Sequence, residues 1–194
     1  SKIFGYQSSV KTVGFIEIET ESGKKGFGEN YASIYAPELL PHIVKFCETL
    51  FIGKKIGDKN LIEEIYKIPF IGRNGFIKSI AGSIEIAIWD LRGKLLNKPT
   101  FELLGKKREK IKCYASGGSI IMKEGEIQKE VEKLGNEGFD SYKMRVGYQT
   151  WDNDLKRVKS AKKNFSKGNL MVDAIMGTLR PPWNLSEALK KTED

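Results

Sequence analysis

The chain has 194 residues, 40% of them hydrophobic and 30% charged, with a net charge of +8 and a pI near 9.3. That composition is ordinary for a soluble protein of one large or two small domains, and no apolar run approaches the length of a membrane span. The basic charge suggests nucleic acid only weakly, because the lysines are scattered over helix-like segments (Lys156, Lys159, Lys162, Lys163, Lys167) and read as solvated faces. Cys47 and Cys113 lie far apart without metal spacing and read as two reduced, packed thiols of a cytoplasmic protein. His42 is the only histidine, so a Ser–His or Cys–His triad within this chain is improbable on chemical grounds. No secretory apolar core stands near Ser1, and a chain that does not begin with Met reads as processed, tagged or incomplete.

In chain order, Ser1–Ser9 has no pattern and reads as loop. Residues 11–29 predict a hairpin: KTVGFIEIET alternates well enough for a strand, SGKKG is a turn, and Lys25–Glu29 returns. The glycines at 23, 26 and 28 belong to that turn region rather than to a nucleotide cradle. Between 37 and 70 the pattern is helical. Leu39, Leu40, Ile43, Val44, Cys47, Leu50 and Phe51 fall at three- and four-residue steps, Gly53 closes the element, and Lys59–Tyr66 predicts a shorter helix ended before Pro69.

Ile77–Asn97 is the strongest helix. Ile80, Ile84, Ala87, Ile88, Leu91 and Leu95 line one face, with Ile86 and Trp89 widening it toward burial on several sides and Gly82 and Gly93 admitting a close neighbour. Asn97 and Pro99 end it, and Thr100–Leu104 makes one more turn before Gly105. After Lys110 strands alternate with helices: strand 111–116, helix Glu124–Gly135, strand 139–146, helix 152–164, strand 169–174, and a last helix from Asn184 or Ser186 beyond Pro181 and Pro182. The strands start 28 and then 30 residues apart, the βαβ period, which predicts a parallel sheet.

The stretch from Asp140 to Gly177 concentrates the chemistry. Along Ser141–Val146, Tyr142, Met144 and Val146 point one way while Lys143 and Arg145 point the other. Along Leu170–Asp173, Met171 and Asp173 share a face. Charges within a packed α/β unit need a partner, a metal or a polar site. Lys143, Arg145 and Asp173 are therefore the candidate site residues, at the carboxyl ends of parallel strands. A second reading makes them an ion-pair layer inside the unit. Gly117–Gly118 reads as a strand-to-loop turn, with exposure of its amides to substrate as the alternative. No phosphate loop of the Gly-x-x-x-x-Gly-Lys-Ser/Thr type is present.

Taken together, GFGEN (26–30), IAIWDLRGKLLNKPTFELLG (86–105), YASGG (114–118), EGFDSYKMRVG (137–147) and LMVDA (170–174) resemble the enolase superfamily, specifically its mandelate racemase and muconate-lactonising group. The resemblance implies an α+β capping domain (1–110) followed by the first βα units of a TIM-like (β/α) barrel (111–194), incomplete in this chain. A barrel takes about 250 residues; 84 follow residue 110, so the expectation is a piece of a longer protein or a remnant. The implied reaction removes the proton next to a carboxylate, with Mg²⁺ steadying the charge that develops. Asp173 is then the first metal ligand, and Lys143 and Arg145 stand at the Lys-x-Lys positions of the family.

Two departures shape the expected reaction. The second lysine, normally the base, is Arg145, and a guanidinium stays protonated; it is expected to pair with substrate oxygens instead. Lys143 is left with two readings, orienting charge or acting as the base if burial among cations eases its deprotonation. Ile175 stands where the family often has Asn. A sugar-acid dehydratase is therefore favoured over a racemase or epimerase, with an inactive structural fragment as the rival of another class. The partners implied are a small-molecule carboxylate substrate and further copies of the chain in a homo-oligomer, with neither nucleic acid nor membrane.

Overall fold

The computed structural model describes residues 12–69, 75–165, 168–175 and 182–194. The expectations placed on Ser1–Ser9, Lys167 and Pro181 lie outside the described residues. The chain divides into two compact units between Glu109 and Lys110.

The first unit opens with the antiparallel hairpin of β1 (Gly14–Glu19) and β2 (Lys25–Asn30), in register from Gly14↔Asn30 to Glu19↔Lys25. Period-two alternation buries Ile16 and leaves Phe15 on the outer face. A short 3-10 turn at Tyr31–Ile34 follows, its N-terminus capped by the Asn30 side chain, which accepts from the Ser33 N–H. Then come α1 (Leu39–Phe51), α2 (Glu63–Tyr66), α3 (Gly75–Leu96) and α4 (Thr100–Leu103). The core joins Ile16, Cys47, Leu61, Ile65, Ile80, Ile84 and Ile88, with the apolar stripe of α1 packed against it.

The helix α3 organises this unit, and β2 lies directly on it. A Cβ at Gly28 would stand 1.9 Å from the Ser83 carbonyl oxygen, and one at Gly26 2.3 Å from that of Ala87. Both glycines therefore serve the close approach of strand to helix. The hairpin turn needs only Gly23, whose φ of 78° is in the left-handed region. Polar groups seal the contact: the Phe27 N–H donates to Asp90 at 2.8 Å, Ser83 Oγ donates to the Glu29 carbonyl at 2.8 Å, and Asn30 Nδ2 donates to Ser83 Oγ at 2.8 Å.

Several expectations are corrected in this unit. The face of α3 is narrower than its sequence suggested: Ile86 is 54% and Leu95 41% exposed, because β2 and the core cover only the stripe through Ile80, Ile84, Ala87 and Leu91. A Cβ at Gly82 would meet no neighbouring element within 4 Å, and Gly93 makes room for the Lys98 carbonyl instead. That carbonyl belongs to the helix end, where Asn97 takes a φ of 50° and the Lys98 N–H reaches back to Gly93 O at 2.9 Å. α2 begins at Glu63 rather than Lys59, since Leu61 and Glu63 make three-residue turns back to Asp58 and Asn60.

The second unit runs β3 (Ala115–Ser116), α5 (Glu124–Asn136), β4 (Ser141–Val146), α6 (Trp151–Asn164), β5 (Asn169–Ala174) and α7 (Leu185–Glu193). The sheet order is β3-β4-β5, parallel throughout. Ala115, Ile127, Val131, Tyr142, Met144, Val146, Ala161 and Phe165 form its core. β3 is shorter than the expected 111–116. Its register pairs Ala115 with Tyr142, so residues before Tyr114 pass the start of β4 and have no ladder to join. Cys113 is consequently exposed rather than packed, while Cys47 is buried. α7 starts at Leu185 behind a capping box of Asn184 and Glu187. Its end is held to α6 where Trp151 Nε1 donates to Asp194 at 2.7 Å.

Candidate active site

The alternation of β4 separates its two chemistries cleanly. Tyr142, Met144 and Val146 are buried in the core, and Lys143 and Arg145 project from the opposite face. In the parallel register Lys143 stands beside Met171 and Arg145 beside Asp173. Register neighbours in a sheet point to the same side, so all three candidate residues share one face; Arg145 and Asp173 stand one residue short of the carboxyl ends of their strands, and Lys143 stands at mid-strand rather than at the end. Lys143 Nζ lies 2.7 Å from Asp173 Oδ2, with the two side chains 29% and 32% exposed. Arg145 makes no ion pair or side-chain hydrogen bond with another described residue.

The arrangement is one carboxylate held by an ammonium, with a guanidinium alongside. It can take an anion between the two cations, because a fork of guanidinium N–H groups matches a carboxylate edge to edge. Asp173 is also a hard oxygen donor of the kind Mg²⁺ prefers. It fits such an ion as a single ligand: among the described residues no group of three or more His, Cys, Asp or Glu side chains could hold a metal.

Other groups brace the strand ends. The Gly117 N–H donates to Lys143 O at 2.9 Å, and the Arg145 N–H to Gly118 O at 3.1 Å. The Gly118 N–H donates to Glu130 at 2.8 Å, and the Tyr142 hydroxyl donates to the same carboxylate oxygen. Burial first, and then the Glu130 carboxylate, push the Tyr142 phenol well above its usual range. Both glycine amides are thus engaged, as a strand-to-loop turn requires.

Behind the sheet, α6 contributes a buried ion pair. Asp154 and Arg157 are almost fully buried and meet at 2.5 Å. Asp154 accepts from the Gly147 N–H at 2.8 Å, and Arg157 donates to the carbonyls of Arg145, Ser119 and Gly118 at 3.2, 2.7 and 3.4 Å. Sequence reasoning missed Glu130, Asp154 and Arg157. The signal was there for α6: Asp154, Arg157 and Ala161 fall at helical steps on one inward face. The surrounding lysines, which are indeed exposed on α6, hid it. His42 is exposed on α1.

Residues 6–105 match the family model described as mandelate racemase / muconate lactonizing enzyme, N-terminal domain. The chain belongs to this family of the enolase superfamily. It is 31% identical over 156 residues to the arabinonate dehydratase of Saccharolobus solfataricus, a match covering 74% of this chain and 40% of the relative. It is 32% identical over 134 residues to the D-galactonate dehydratase of Variovorax paradoxus, covering 67% of this chain and 34% of that protein. Among solved structures, the 3,6-anhydro-D-galactonate cycloisomerase of Zobellia galactanivorans superposes with a TM-score of 0.76 at 26% identity, covering 96% of this chain and 56% of that one. The chain spans well under half the length of the two curated relatives.

Proposed function

We propose that this protein is a Mg²⁺-dependent enzyme that removes the proton α to a carboxylate and dehydrates a sugar acid. The observation that carries the reading is the gathering of Lys143, Arg145 and Asp173 on one face of a parallel sheet, between its middle and its carboxyl end. Two relatives above 30% identity bear the names of sugar-acid dehydratases, which supports this substrate class. In the same reading, residues 1–110 are the capping domain and 111–194 the first βα units of a TIM-like barrel.

The proposed roles follow from side-chain chemistry. Asp173 is one of the oxygen ligands of the cation. Mg²⁺, when bound, stabilises the negative charge that grows on the substrate as its α-proton leaves. Arg145 keeps its charge and holds substrate carboxylate or hydroxyl oxygens. Lys143, already beside Asp173, balances charge and orients the substrate. In this reading the base is a residue other than Arg145. Loss of the α-proton and of the neighbouring hydroxyl as water leaves an enol, which ketonises to the 2-keto product.

One observation favours a second reading. The 2.7 Å contact of Lys143 with Asp173 is what a purely structural ion pair looks like. An assay of the complete gene product for keto-acid release from a panel of sugar acids separates the two. Turnover with Mg²⁺ that stops with EDTA supports the enzyme, and solvent deuterium entering the substrate without dehydration indicates an epimerase. Metal-independent turnover contradicts the proposal, and no turnover favours the structural pair.

A further inference from the structure

The interior of the second unit holds a charged cluster that the proposed chemistry does not use. In a parallel β–α–β unit the helix begins beside the carboxyl end of the preceding strand, so the first turns of α6 stand next to the ends of β3 and β4. At that level the inward face of α6 carries the buried pair Asp154 and Arg157, while Val158 and Ala161 pack on the apolar core. A buried ion pair is a poor source of stability, and apolar residues of like volume commonly do as well. Its hydrogen bonds show what it does instead.

Arg157 reaches three backbone carbonyls that lie on two different segments. Gly118 O and Ser119 O belong to the loop after β3, and Arg145 O belongs to β4 itself. Asp154 seats the guanidinium and takes the Gly147 N–H, the first amide beyond β4. Both Nη atoms are occupied, while Nε meets no acceptor among the described residues. The loops are tied a second time by Gln149 Nε2, which donates to Ile120 O and Met122 O at 2.8 and 3.0 Å. One of the three carbonyls is that of Arg145, the residue whose side chain lies on the candidate face.

We infer that Arg157, seated on Asp154, is a positioning residue: it fixes the carboxyl end of β4, and with it Arg145, against the loop that follows β3. The inference rests on the reading of Arg145 as a contact for substrate oxygens. A planar fork with parallel donors suits three carbonyls and a carboxylate; an ammonium on a flexible stem keeps the charge but cannot hold all four at once.

The test uses the complete gene product and Arg157→Lys, with two readouts. In amide hydrogen exchange, Arg145 and Gly147 should exchange at least tenfold faster in the variant, while the β1–β2 hairpin is unchanged. In kinetics on the sugar acid that the protein turns over, kcat/KM should fall about tenfold or more, mostly through KM. In an Arg145→Gln background the same change should cost less than twofold, because the residue being positioned is gone. Unchanged exchange overturns the inference, and so do losses that multiply. If the wild-type protein turns over no sugar acid, the proposed function fails by itself and the exchange result decides the positioning role. Should R157K not fold, Asp154→Asn, which keeps an acceptor for Gly147 while removing the charge that seats Arg157, reads the same quantities.

Discussion

Arg145 is the residue at which the sequence departs from the Lys-x-Lys pattern that the resemblance implies, and its surroundings suit the part proposed for it. It sits on the face shared with Asp173 and has no ion pair among the described residues. Arg145→Lys would create a Lys-x-Lys spacing but lose the fork. The expected outcome in steady-state kinetics is a KM raised about tenfold with kcat changed far less, since a point charge replaces a two-pronged contact. On the opposite face, Tyr142 makes a prediction about pH. Its phenol is raised in the folded state, so its contribution to stability is complete below its unfolded value of about 10 and is lost as the pH rises beyond it. Chemical denaturation at pH 8 and pH 11 should show that loss in the wild type and a smaller one in Tyr142→Phe.

Among the elements, the contact of β2 with α3 is the tightest in the first unit. Gly28→Ala forces a methyl group into the Ser83 carbonyl, and the strand must lift from the helix. The expected cost is about 1–3 kcal/mol, read as a lowered Tm. This contact also shows where sequence reasoning stops. Alternation and helical spacing made the hairpin, α1, α3, α5, α6 and the parallel strands legible, because each depends on local periodicity. The purpose of Gly26 and Gly28 depends on a helix more than 50 residues away, so they read as turn residues. β3 was overestimated for the same reason, since a strand lasts only as long as its neighbour does. Lys143, Arg145 and Asp173 were legible because alternation alone assigns a face; Asp154 and Arg157 were not, because their main-chain partners (the Gly147 N–H for Asp154, the carbonyls of Gly118, Ser119 and Arg145 for Arg157) carry no mark in the sequence, and the exposed lysines of α6 obscured their helical spacing.

For the molecule as a whole, the first unit carries the family's N-terminal match and the second carries the charged face. In the proposed reaction this face steadies negative charge born on a carboxylate substrate. Proton NMR of the complete gene product in D₂O, with Mg²⁺ and a panel of sugar acids, tests it most directly. The α-proton signal of one substrate should disappear as a dehydrated product forms, EDTA should stop this, and Asp173→Asn should slow it at least a hundredfold. An α-proton that is lost equally well in EDTA, or in the Asp173→Asn protein, would rule out this role for the face.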